Sequence, residues 1–181
     1  MNNPSEHPEG PQLLYPVTWP VAESLVRLIP QYRNIDSIEL TRVQLVRIKS
    51  LARFVRSTRL QFAEAVINQM QAEAVELFRP IAIIHDGKKR VVMPPVVEAH
   101  GDSYILMDGT HRIWLARKAL MESVYVIRVN DVKLALPSEP FPWQGVTERE
   151  DYYTTEENLV NLDRSLFRPV TTTFNGPQTL L

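Results

Sequence analysis

Residues 104–120 read "YILMDGTHRIWLARKAL". An apolar run ends in Asp108-Gly109, and an amphipathic segment begins at once. The change of period from strand-like to helix-like predicts a strand, a tight turn at Gly109 and a helix over 110–120, with Ile113, Ala116 and Leu120 on its buried face. Thr110, His111 and Arg112 then fall in the first helical turn. A helix N-terminus already carries partial positive charge, so a histidine and an arginine sit badly there unless an anion joins them. Gly109 permits the turn, Asp108 or Thr110 is placed to cap the helix, and the free first-turn amides form an anion site to which Arg112 and His111 add donors. A plainer arrangement also fits: Arg112 paired with Asp108 or another carboxylate, and His111 merely solvated.

Upstream, "PIAII" and Arg90–Met93 flank Asp86-Gly87, and "PVVEA" and Ser103–Met107 flank His100-Gly101-Asp102, which predicts two hairpins. Downstream, "SVYVIRV" (Ser123–Val129) predicts a further strand. Strand, helix and strand in that order suggest a βαβ-like unit with a right-handed crossover. Spacings of three and four predict helix over most of 36–79, interrupted before Leu60 and stopped by Pro80. Five prolines between Pro4 and Pro20 predict an extended arm over 1–20, disordered to about Gln12, with its end resting on the core. Residues 21–136 then form the domain proper. Residues 137–181 comprise a proline-aromatic loop, a helix announced by the capping-box pair Thr154 and Glu157, and a tail, packed on the same domain.

The whole chain sets outer limits. With 181 residues, 44% hydrophobic and 23% charged, it fits one soluble α+β domain. A formal net charge of −1 leaves nucleic-acid binding to a local patch. The absence of cysteine removes thiolate metal sites and cysteine nucleophiles, and agrees with a cytoplasmic protein. No apolar stretch approaches a membrane span, and the four histidines show no zinc-ligand spacing.

The box "LMDGTHRIWLARKAL", with the preceding "PPVVEAHGDSY" and the following "VYVIRV", resembles the core of the ParB/sulfiredoxin-like fold over about 93–129. The resemblance implies a small mixed sheet with helices, extended here by the N-terminal arm and a C-terminal helical extension. It also implies a phosphate box in which Asp108, Gly109, Thr110, His111 and Arg112 hold a nucleotide. Sulfiredoxins carry their catalytic cysteine at the position of Thr110, so sulfinic-acid reduction is excluded. Partition-type ParB proteins continue into DNA-binding and dimerisation regions unlike the proline-rich and acidic segment here. The free serine kinases of the fold carry an Asp-Gly-His-His-Arg-type box, one residue away from this one. Their example implies ATP or another nucleoside triphosphate, Mg²⁺ held mainly by phosphates, and transfer or hydrolysis of the terminal phosphoryl group, the acceptor being a small hydroxyl compound. His111 is then a catalytic candidate, with Glu39 in "RNIDSIEL" as the base by its position ahead of the helices and Glu98 in reserve.

A different class of function starts from Arg42–Arg59, which holds Arg42, Arg47, Lys49, Arg53, Arg56 and Arg59 with no acid from Leu40 to Ala63. If that stretch is helical, a basic face could follow nucleic-acid phosphates, as in a nuclease-like or DNA-binding module. Trp114 and Trp143 read as packing residues, with Trp143 a candidate lid.

Overall fold

The computed structural model describes residues 10–167 and the backbone of 173–175. The order is β1 (Gln12–Pro16), α1 (Trp19–Val26), β2 (Ile38–Gln44), β3 (Ile48–Lys49), β4 (Phe54–Arg56), α2 (Ser57–Ala72), β5 (Ile81–His85), β6 (Lys88–Val92), β7 (Val96–His100), β8 (Ser103–Asp108), α3 (Thr110–Lys118), β9 (Ser123–Val129), β10 (Thr147–Arg149), α4 (Thr155–Asn158) and β11 (Thr173–Asn175). The architecture is α+β. A five-stranded mixed sheet runs β2-β9-β7-β8-β3, a four-stranded sheet runs β1-β5-β6-β11, and β10 pairs with β4 in parallel.

Both expected hairpins form. Asp86 and Gly87 take φ of 51° and 67°, the double positive φ of a turn that matches strand twist. Gly101 takes φ 56° between β7 and β8. Beyond them lies a correction: β8 runs antiparallel to β7, while β9 runs parallel to it. Strands β8 and β9 therefore oppose one another, so β8-α3-β9 is not a parallel βαβ unit and the crossover rule does not apply.

The larger correction concerns 36–56. In place of a helix, residues 38–44 pair along their whole length with β9 from Ile38↔Val129 to Gln44↔Ser123, a single 3-10 turn follows at 45–47, and α-helix is confined to 57–72. Leu40 and Val43 are three apart because this strand puts apolar residues on both faces: Ile38 joins the cluster under α1, and Val43 the cluster under α3. At the C-terminal end, the predicted helix is a single turn, Thr155–Asn158, whose capping box forms as expected. Residues 159 and 160 then leave it for isolated bridges to Ala52 and Glu139. In the arm, Pro20 is not a helix breaker but stands in the first turn of α1, where its missing N–H costs nothing, and residues 12–16 pair with β5. Residues 1–9 and most of the tail lie outside the described residues.

Two apolar layers sandwich the five-stranded sheet. Val97, Leu106, Val124 and Val126 face Ile113 and Ala116 of α3 and Leu60 of α2. Val96, Ile127 and Val129 face α1 and Tyr32. A third cluster joins Val66 and Met70 of α2 to Ile81, Ile83 and Val92 of the second sheet. Helix α2 thus packs on one sheet and reaches the other, which sets its N-terminus beside that of α3. Leu120, expected on the buried face of α3, is instead 88% exposed, because Ala119 ends the helix and Leu120 turns away with φ 54°. Trp143 is buried and donates its indole N–H to the Ile48 carbonyl at 2.9 Å, so it packs and is not a lid.

Candidate functional site

Gly109 caps α3 with φ 94°. The N-cap position is thus held by Gly109 and not by Asp108 or Thr110, contrary to expectation, and no acid stands in the first turn. The first intrahelical bond runs from Ile113 N–H to the Gly109 carbonyl, so the amides of 110–112 have no place in the helix ladder. Helix α2 begins in the same way: Arg56 is its N-cap, with no side-chain cap and no acid in the first turn. The two helix starts are joined directly, since His111 Nε2 accepts the Arg56 backbone N–H at 3.0 Å. Sequence reasoning put the first of these helix starts at the site, and set the second near Leu60 without giving it a place there. The absence of any acid from Leu40 to Ala63 was its signal.

Two cavities open on either side of this junction. One, about 350 Å³, lies between α2, β6 and the box, with Phe62, Ala63, Val66 and Val92 as an apolar shelf and Arg59, Arg90 and Arg112 as cations. The other, about 330 Å³, lies between the box, β4 and the C-terminal segment, and is lined by Arg56, Arg59, Thr110 and an aromatic wall. Arg59, Asp108 and His111 border both. Among the described lining residues, four arginines thus face one carboxylate, that of Asp108.

His111 is not one of the cations. Burial first, then the charges of Arg59, Arg112 and Arg56, hold its pKa down to about 4 from an ordinary 6.5. Its Nε2 accepts a hydrogen bond, so the neutral ring carries its proton on Nδ1. This pKa predicts a pH dependence of stability. The folded state favours neutral His111, so its contribution is complete above pH 6.5 and is lost as pH falls towards 4, where the unfolded chain takes up the proton first. Urea unfolding is expected to lose roughly 2–3 kcal/mol over that window, a loss that His111→Gln reduces.

Arg112 is turned inward. One terminal nitrogen donates to the Met93 carbonyl, and the other lies 3.7 Å from an Asp108 carboxylate oxygen. Its side chain is 13% exposed. The plainer arrangement therefore holds for Arg112: it fixes Asp108 and the strand entering β7, while Arg59 and Arg90 present charge to the cavity.

Glu39 is not brought to this site. It shares a row with Arg128, Val97 and Leu106 across the sheet, three strand spacings from β8, or roughly 14 Å. Its carboxylate accepts from Arg128 at 2.6 Å and Asn130 at 2.9 Å, and the Arg128 bond lowers its pKa. Glu98 is fully buried on the opposite face, bonded to Tyr32 and near His100. The basic 42–59 stretch does not form one helix face either. Arg42 lies on β2 over Tyr125, Arg47 over Tyr104, Lys49 on β3 and Arg53 over Phe54, while Arg56 and Arg59 line the cleft.

No group of three histidine, aspartate or glutamate side chains able to hold a metal exists among the described residues. An Mg²⁺ would find only Asp108 here, already beside Arg112. A metal held mainly by phosphates would ask no more of the protein than that one carboxylate, and the other charged side chains lining the two cavities are arginines. Among the described residues no helix is long and apolar enough to cross a membrane.

No protein-family model and no curated protein matches the chain. Among solved structures, a conserved hypothetical protein from Pyrococcus furiosus aligns at 15% identity over 53% of this chain and 34% of its own, with a TM-score of 0.34. A free serine kinase in complex with AMP aligns at 15% identity over the same shares, with a TM-score of 0.33. The chain thus spans about a third of the length of either, and at these values neither likeness bears on fold or function.

Proposed function

We propose that the protein, on a ParB/sulfiredoxin-like core, binds ATP or another nucleoside triphosphate in this cleft and transfers or hydrolyses its terminal phosphoryl group. The observation that carries the reading is the meeting of two uncapped helix N-termini with four arginines around one carboxylate. Such a concentration of positive potential matches a polyanion, and a neutral histidine between the arginines adds no further charge. In this reading the nucleoside lies on the apolar shelf of Phe62, Ala63, Val66 and Val92. Arg59 and Arg90 neutralise the phosphates, and the amides of 110–112 hold the terminal one at the junction.

Asp108, on the border of both cavities, takes the role expected of Glu39. An acceptor hydroxyl from the second cavity attacks the terminal phosphorus. Its proton passes to Asp108, the bond to the bridging oxygen breaks, and the nucleoside diphosphate leaves. Arg112 is a positioning residue, and the catalysis is mainly positioning and charge stabilisation. Asp108→Asn keeps the shape and removes the base. It is expected to lower kcat for phosphoryl transfer about 10²-fold or more while nucleotide affinity stays the same or rises. Unchanged kcat would remove Asp108 from the mechanism.

A further inference from the structure

The second cavity has a construction that phosphate binding alone does not require. Its wall comes from the C-terminal segment, tied to β4 by Asn158, whose side-chain oxygen accepts the N–H groups of Arg53 at 3.1 Å and Phe54 at 2.8 Å. Thr147 N–H adds a bond to the Arg53 carbonyl, and Tyr153 O–H one to the Phe54 carbonyl. The wall is therefore held in place by hydrogen bonds to the backbone of Arg53 and Phe54, not draped over the core.

Along it, cations and rings alternate. The Arg149 guanidinium lies 4.8 Å from the Phe54 ring centre, and Phe54 and Tyr153 are 5.5 Å apart and tilted. The Arg56 guanidinium lies 5.1 Å from Tyr153 and 4.9 Å from Tyr152. Arg149 is paired with Asp151 at 2.5 Å, on the outside. Arg56 and Arg59, which line the cavity, have no carboxylate partner among the described residues, and Arg56 Nε is a buried donor with no hydrogen bond there. Tyr152 is 75% exposed at the mouth. Leu51, Leu106 and Leu159 complete an apolar floor.

A small inorganic anion would satisfy the arginines and leave the rings and leucines wet. A neutral aromatic would cover the rings and leave Arg56 unpaired. We infer that the second cavity is a binding site for a planar aromatic compound bearing an anionic group, its ring against Phe54 and Tyr153 and its acid on Arg56, which borders this cavity alone. The shared chemistry is an aryl anion, supplied either by an aryl carboxylate or by an aryl phosphate. That such a compound is the phosphoryl acceptor, its hydroxyl turned to Asp108, rests on the reading above; the binding site itself does not.

Calorimetric titration of the full chain with 4-hydroxybenzoate and with phenyl phosphate distinguishes the two sources. Neutral 4-hydroxybenzamide and non-aromatic acetate and methyl phosphate are the controls. At least one aryl anion is expected to bind tenfold or more tightly than every control, with the tighter of the two naming the source. Arg56→Gln should remove the preference for the anion over the amide, and Tyr153→Leu should weaken all ring-bearing probes. Tyr152→Ala, at an exposed position, should weaken them in a chain whose melting temperature is unchanged. Equal affinity for amide and anion, no binding of either aryl anion at millimolar concentration, or indifference to both Arg56→Gln and Tyr152→Ala overturns the site. ATP is titrated in parallel against Arg90→Ala, which borders the first cavity alone. Aryl binding without ATP binding supports the site and removes the nucleotide reading; ATP binding without aryl binding does the reverse. Simple competition between ATP and the aryl anion overturns a separate site.

Discussion

Gly109→Ala is expected to destabilise the protein by about 3–4 kcal/mol. The backbone at 109 has φ 94°, which costs a side-chain-bearing residue on the order of 1–2 kcal/mol. A Cβ there would also stand 2.7 Å from Pro95 Cβ and 2.9 Å from Pro95 Cα. Pro95 cannot swing aside, because its carbonyl accepts the Ile127 N–H at 2.8 Å and so helps tie β7 to β9. Relief must come from moving the start of α3, at a further cost of about 1–3 kcal/mol. Urea unfolding reads the loss directly. The same shift would separate His111 from the Arg56 N–H, so the variant is expected to lose the His111-dependent part of the pH profile as well.

The second large effect concerns binding. Arg59 and Arg90 border the first cavity from α2 and β6, and among the described residues neither has a carboxylate partner. Arg90 Nε is in addition a buried donor without a hydrogen bond there. Each charge-assisted bond to a phosphate is worth about 1.5–3 kcal/mol, so Arg59→Ala with Arg90→Ala is expected to weaken nucleoside triphosphate binding by about 10²-fold or more. Since no described ion pair is broken, the melting temperature should hold. Arg112→Ala differs. It removes the partner of the Met93 carbonyl and of Asp108, so it lowers stability and affinity together and does not isolate the phosphate contribution.

Much of the segment from 81 to 129 was legible in the sequence because its signals are local. The Asp86-Gly87 turn, the second hairpin, the Gly109 turn and the strand at Ser123–Val129 each depend on residues a few positions apart. Strand β2 was not legible, because a strand with apolar residues on both faces loses its period of two, and Leu40 and Val43, with the exposed Val46 in the turn that follows, then imitate a helix. The antiparallel return of β9 is set by pairing with β2 and β7, which no local pattern encodes. The candidate site divides in the same way. Gly109 and the first turn of α3 stood out, whereas the start of α2 and the aromatic wall reach the site through Arg56, Tyr153 and Asn158, bonded across 55 to about 105 residues of chain. The lowered pKa of His111 was not legible either, because burial and three arginines are tertiary facts.

Calorimetric titration of the intact protein with ATP, repeated on Arg59→Ala/Arg90→Ala, tests the central claim most directly. Saturable binding to the parent chain, weakened about 10²-fold or more in a double variant of unchanged melting temperature, is the predicted result. Absence of binding at low salt, or equal affinity in parent and variant, would contradict it.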